Sequence, residues 1–208
     1  MKKLILIFSI ICSINLYADS FENAFNEELN GNVKIAAKLY LQSCNDGNSN
    51  ACYHLGLLYT KGKGVRQNNK TANDFFTKAC NNANPEACFN LGITYEDGRA
   101  VIKDKKKAAK FYETACDGGS ADGCFYLGRM YLKGKIFKQD YKKIVELYTK
   151  SCDLKNSQSC YSLGLMYLQG EGVRQNKSTS KEFFGRACDS GNNKGCKQFR
   201  ILSDAGIK

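Results

Sequence analysis

Apolar residues recur along this chain at helical spacings, and the spacings themselves recur. Aromatic or Leu pairs stand at Leu39-Tyr40, Phe75-Phe76, Phe111-Tyr112, Leu147-Tyr148 and Phe183-Phe184, with small residues one turn earlier at Ala36, Ala72 and Ala108. Another small residue follows each pair: Ser43, Ala79, Ala115, Ser151 and Ala187. Steps of three and four residues place such positions on one helical face. In the first four units the chain then reads CYHLGLLY, CFNLGITY, CFYLGRMY and CYSLGLMY, which aligns Leu55, Tyr59 and their counterparts along a second helix. The whole pattern returns after 36 residues. A fixed period between 20 and 50 residues marks a solenoid or array.

The polar positions punctuate the same period. Asn48, Asn84, Ser120, Asn156 and Asn192 precede the second helix of each unit, and Asn68, Asp104, Asp140 and Asn176 precede the next first helix. These side chains accept from the orphan amides of a helix N-terminus. Pro85 follows Asn84 at the first helical position, where its missing N–H does no harm. Gly62, Gly98, Gly134, Gly170 and Gly206 are expected to end the second helices. Gly56, Gly92, Gly128 and Gly164 lie inside those helices, where each costs roughly 1 kcal/mol relative to alanine. Close approach of a neighbouring helix is the reason expected for tolerating them. The prediction is an all-α chain of five helical hairpins, each with a first helix (A), a short turn, a second helix (B) and a longer loop.

The ends depart from the period. MKKLILIFSIICSINLYADS has two lysines, an apolar run from Leu4 to Ile11 and Ala18, which predicts a signal peptide over 1–18. The apolar run is too short for a membrane anchor. A lipid-anchor reading would use Cys12, but Ile11 precedes it where a small residue is wanted. FENAFNEEL then predicts a short acidic capping helix within 19–31 that presents Phe21, Ala24, Phe25 and Leu29 on one face. Repeats follow at 32–67, 68–103, 104–139 and 140–175, with the fifth repeat and a C-terminal cap at 176–208. In the last repeat Phe199-Arg200 and Ser203 replace the Leu-Gly and Tyr positions and break the stacking surface.

Cysteine usage sharpens this reading. Cleavage removes Cys12 and leaves ten cysteines for an oxidising compartment, where an even count predicts disulfides. Pairing within units joins Cys44 to Cys52, Cys80 to Cys88, Cys116 to Cys124, Cys152 to Cys160 and Cys188 to Cys196; pairing between units strands Cys44 and Cys196. The intra-unit scheme is therefore expected, with each bridge stapling a hairpin turn. A zinc site would need four close ligands and His54 is the lone histidine, so neither metal nor cofactor is expected.

The chain has a formal net charge of +11, which falls to +9 once Lys2 and Lys3 are removed. Such a balance favours acidic partners in general. Nucleic acid is not expected, because clusters such as Lys103 to Lys107 lack interleaved aromatics and export removes the opportunity.

The L-G-x-x-Y-x-x-G ending of helix B, with Gly64-Val65 and Gly172-Val173 after it, resembles the Sel-like repeat, a relative of the tetratricopeptide repeat. With paired cysteines and a signal peptide, the chain is similar to the Helicobacter cysteine-rich protein family. That resemblance implies an α/α solenoid of disulfide-stapled hairpins, exported to the periplasm or medium. It also implies penicillin binding with slow β-lactamase activity, and a peptidoglycan-like peptide or β-lactam as ligand. The residues themselves supply no catalytic motif. Ser178 and Lys181 form the S-x-x-K pair without its S-D-N and K-T-G partners, and His54 reads as a surface histidine, since Asn90, Tyr126, Ser162 and Gln198 replace it in other units. Tyr59, Tyr95, Tyr131 and Tyr167 read as core packing. The alternative is a non-enzymatic monomeric scaffold whose A helices line a groove for an envelope or host protein. In either case Lys106, Lys110 and Lys142 are the expected contacts for a ligand carboxylate.

Overall fold

The computed structural model describes residues 20–208, so the expected signal peptide and Cys12 lie outside the described residues. Among the described residues there are eleven α-helices and no strand. They are α1 (20–29), α2 (Val33–Asn45), α3 (Ser49–Lys61), α4 (Asn69–Asn81), α5 (Pro85–Asp97), α6 (Lys105–Asp117), α7 (Ala121–Lys133), α8 (Tyr141–Asp153), α9 (Ser157–Gln169), α10 (Lys177–Asp189) and α11 (Asn193–Asp204). The chain divides into two compact units, one ending at Lys103 and the other running from Asp104 to Lys208. The fold is of the all-α, α/α solenoid class.

Local chemistry sets the boundaries. Asn48, Asn84, Ser120, Asn156 and Asn192 each accept from the amide three residues ahead, and Asn68, Asp104, Asp140 and Asn176 cap the A helices in the same way. A cap of this kind is worth about 1 kcal/mol. Gly62, Gly98, Gly134 and Gly170 end helix B in the left-handed region. Gly206 does not end α11, whose C-cap is Ala205; the left-handed glycine follows one residue later. Every A-to-B turn also needs one left-handed residue. Glycine fills that place at Gly47, Gly119 and Gly191, whereas Ala83 and Lys155 are held there with side chains.

Disulfides join the two helices of every hairpin, Cys44–Cys52, Cys80–Cys88, Cys116–Cys124, Cys152–Cys160 and Cys188–Cys196, across Cα separations of 4.5–4.8 Å. Seven of the ten bridged cysteines are buried, as are Leu55, Leu91 and Leu163, whereas Cys80, Cys188 and Cys196 are half-buried.

The glycines inside helix B answer to a neighbouring ring rather than to a neighbouring backbone. A Cβ at Gly56 would stand 2.6 Å from Phe76, one at Gly128 2.7 Å from Tyr148, and one at Gly164 2.5 Å from Phe184. Each ring belongs to the next A helix, and all three are buried. Polar bonds lock the same neighbours together on the turn edge. Asn84 Nδ2 donates to Asn50 Oδ1 and Asn156 Nδ2 to Asp122 Oδ1, both at 2.8 Å, while each Asn keeps its oxygen for its own cap.

The ends are capped with different residues from those expected. In α1 Ala24 is fully buried, but Phe25 is 39% and Leu29 69% exposed. Glu28 packs inward instead of Leu29, because Tyr40 donates its hydroxyl to Glu28 Oε2 at 2.7 Å. At the far end Leu202 is buried while Phe199 and Ile201 remain partly exposed.

Candidate binding clefts on the loop edge

The loops after α3, α7 and α9 share a glutamine bond back to the preceding helix and leave open clefts. After α3, Gln67 Nε2 donates to Thr60 O at 2.9 Å and the Asn68 amide to Tyr59 O at 3.0 Å. After α9, Gln175 and Asn176 repeat both bonds, to Leu168 O and Tyr167 O. After α7, Gln139 reaches Leu132 O at 3.2 Å. These bonds fold each loop back along its helix. Clefts of about 630 Å³ beside Tyr59, Val65 and Arg66 and about 620 Å³ beside Tyr167, Val173 and Arg174 result. A third, of about 730 Å³, opens beside Tyr131, Phe137 and Lys138.

A second ring backs each cleft tyrosine. Tyr59 stacks on Phe75 at 5.6 Å between centroids and Tyr167 on Phe183 at 5.5 Å, each partner coming from the next A helix. Leu147 holds that helical place after α7, and Tyr131 stacks instead on Phe137 of its own loop, at 4.7 Å. All four tyrosines expected as core are half-buried, and Tyr59, Tyr131 and Tyr167 pack against a ring and also line a cleft.

Arg66, Arg174 and Lys138 line these clefts, are exposed, and have no hydrogen-bond or ion-pair partner among the described residues. On the turn edge Lys155 and Lys194 are likewise exposed and partnerless, but other cations there are held. Lys150 pairs with Asp117 at 3.3 Å, Arg186 with Asp153 at 2.6 Å, and Lys78 donates to Asn45. A free guanidinium beside a tyrosine ring and a fixed glutamine can receive a carboxylate in bidentate fashion. No single helix signals this site; the recurrent V-R-Q-N at residues 65–68 and 173–176 was its trace in the sequence.

The residues singled out from sequence fare differently. Lys106 and Lys110 on α6 and Lys142 on α8 are all exposed, and none lines the three clefts. Ser178 and Lys181 do not face one another as nucleophile and base. The Ser178 hydroxyl donates to the backbone oxygen of Lys208, and Lys181 Nζ donates to Ile207 O at 2.6 Å while lying over the Phe199 ring. Both fasten the C-terminal tail.

His54 is not a surface histidine; it is half-buried under α1. Its ring stacks on Tyr40 at 5.2 Å and meets Phe21 and Phe25 edge-on. Nδ1 lies 3.5 Å from Glu28 Oε2. Burial lowers the imidazole pKa below its usual value and outweighs the opposing pull of Glu28. The Tyr40 hydroxyl is pushed well above the usual phenol range by burial and by its bond to Glu28. This cluster is the seat of the N-terminal cap. Among the described residues no group of three or more His, Cys, Asp or Glu could hold a metal ion, and no helix is long and apolar enough to cross a membrane.

Known proteins share this architecture. The Sel1 repeat pattern matches residues 49–84, 85–120, 121–156 and 157–192, each match starting at a B helix and ending just past the next A helix. Among solved structures, a Sel1 repeat protein from Oxalobacter formigenes superposes with a TM-score of 0.82 at 24% identity, over 89% of this chain and 77% of that one. The protective antigen c5321 of uropathogenic Escherichia coli, described as displaying an SLR fold, gives 0.81 at 29% identity over 92% of this chain. This chain spans only 42% of that protein's length. Helicobacter pylori cysteine rich protein B is 30% identical, with a TM-score of 0.51 over 62% of this chain and 92% of its own. No curated protein matched in sequence. Four consecutive matches spanning most of the chain show that it belongs to the Sel1 repeat family.

Proposed function

We propose that this chain is an exported, disulfide-stapled scaffold that holds a protein or peptide partner, without chemistry of its own. The observation that carries the reading is a division of labour among its polar groups. Ser178, Lys181 and His54 are engaged in fastening the ends of the stack, whereas the partnerless cations Arg66, Lys138 and Arg174 line open clefts. An activated nucleophile needs an adjacent base held by a third group, and neither Ser178 nor His54 has that arrangement. Five bridges suit an oxidising compartment outside the cytoplasm.

The β-lactam hydrolysis implied by the cysteine-rich resemblance is the outcome that would displace this reading. The test is nitrocefin hydrolysis by the oxidised chain and its Ser178→Ala and His54→Ala variants, beside crosslinking to an envelope extract. No turnover above the blank, with saturable crosslinking to an identified envelope protein, supports the scaffold. Turnover that follows the protein through purification and vanishes in a folded variant replaces it with a hydrolase. If that turnover is instead lost on removing Lys106, Lys110 and Lys142, the ligand carboxylate sits on the A helices.

A further inference from the structure

We infer that the clefts on the loop edge bind carboxylate side chains, and that the partner of this scaffold is an acidic, extended polypeptide segment. The inference rests on the scaffold reading and adds where the partner docks and what chemistry it carries. Three observations support it.

First, charge is segregated between the two ends of the hairpins. In the first unit residues 61–70 carry Lys61, Lys63, Arg66 and Lys70 with no acidic residue, while the turns at 45–50 and 81–86 carry one acidic residue each and no basic one. In the second unit residues 133–143 carry five lysines against Asp140 and residues 169–177 carry Arg174 and Lys177 against Glu171, while the turns at 117–122, 153–158 and 189–194 together carry four aspartates against Lys155 and Lys194. The excess charge of the chain therefore lies where the clefts open.

Second, the loop-edge cations facing the clefts are not consumed by the fold. Arg66, Lys138 and Arg174 have no partner among the described residues, although the same chain pairs Lys150 and Arg186 on the turn edge. Arg99 is an exception, held by Asp97 at 2.7 Å, and in its loop Ile102 takes the place of the cleft cation.

Third, the clefts, although shallow and open, set groups of different chemistry side by side. A flat basic surface would suit an anionic bilayer, which touches only the outermost charges. Here the cation stands beside a tyrosine ring backed by another aromatic, a valine or phenylalanine, and a glutamine fixed by its bond to the preceding helix. Clefts of about 620–730 Å³ accommodate a side chain together with its flanking backbone. An acidic segment offers what they lack: a carboxylate for the cation, and backbone and apolar neighbours for the ring and the valine or phenylalanine.

The experiment measures binding of fluorescein-labelled poly-L-glutamate to the oxidised chain by fluorescence anisotropy at low salt. The Arg66→Gln/Arg174→Gln variant is compared with Lys78→Gln/Lys150→Gln, which removes the same charge from the turn edge. Circular dichroism and melting verify that both variants fold. The expected result is at least a fivefold weaker Kd for the loop-edge variant and less than a twofold change for the turn-edge one. Equal weakening of both would reduce the effect to net charge and overturn the inference. Binding to phosphatidylcholine vesicles containing phosphatidylglycerol, without binding to poly-L-glutamate, would overturn it in favour of a lipid surface. If the crosslinked envelope protein binds the loop-edge variant as tightly as the unaltered chain, the scaffold stands and this inference falls.

Discussion

Replacing Gly164 by alanine sets two effects of known sign against each other. Inside a helix, glycine to alanine is worth about 1 kcal/mol in favour of alanine. Against that, the new Cβ would stand 2.5 Å from both Cδ1 and Cε1 of Phe184, where carbon pairs prefer 3.5–4.0 Å. Phe184 is fully buried, so its ring cannot swing aside. Overpacking of that kind costs about 1–3 kcal/mol, and an overlap of more than an ångström with two atoms of a fixed ring belongs at the upper end. The expected net effect is a destabilisation of about 1–2 kcal/mol, or some 2–8 °C in Tm at 2–4 °C per kcal/mol for a chain of this size. Gly185→Ala is the internal control. Its Cβ would lie 3.2 Å from Phe199, a ring 37% exposed and free to give, so alanine should be neutral or stabilising by up to about 1 kcal/mol. In a Phe184→Leu background the sign at residue 164 should reverse, giving a coupling of about 2 kcal/mol in a double-mutant cycle. Melts under oxidising conditions decide it. A Gly164→Ala chain that melts higher, or an alanine effect that is the same in both backgrounds, would refute the ring-seat explanation.

Three further outcomes are expected. Ala83→Gly and Lys155→Gly should each stabilise by roughly 1 kcal/mol, and Gly119→Ala should destabilise by a similar amount, because all three positions are left-handed; thermal melts of the single variants check this. Stability should fall as pH drops below about 6.5, because the folded state depresses the His54 pKa and the unfolded chain takes up the proton first; His54→Asn should flatten the melting temperature between pH 7.5 and 5.5. Replacing Cys116 and Cys124 together should cost roughly 2–3 kcal/mol by the loop-entropy relation, and peptide mapping of the oxidised chain should find only bridges within hairpins.

What could be read from the sequence was local or periodic. Helix starts were legible because Asn48, Asp104 and their counterparts act on amides two or three residues away, and the disulfides because an unbroken period leaves one pairing that strands no cysteine. What escaped was non-local. That Gly164 seats the Phe184 ring depends on two residues meeting across a hairpin boundary. That Glu28 rather than Leu29 turns inward follows from the Tyr40 hydroxyl needing an acceptor once buried. The same limit applies to the candidate ligand contacts. Lys106, Lys110 and Lys142 could be named from their place on the A helices, whereas the partnerless state of Arg66 and Arg174 is visible only after folding.

The ring behind Tyr131 determines which repeats are interchangeable. Tyr59 and Tyr167 borrow their stacking partner from the A helix of the following repeat, so each presents an unfinished surface that only a successor with phenylalanine at that register completes. Tyr131 takes its partner from its own loop and is complete before α8 begins. A leucine-bearing successor such as the one starting at α8 is thus admissible after the third repeat, yet grafted behind the first or fourth it would leave a tyrosine face bare. The chain is periodic in backbone and directional in its joints: a sequence of fitted segments whose order is written in the side chains that face each junction.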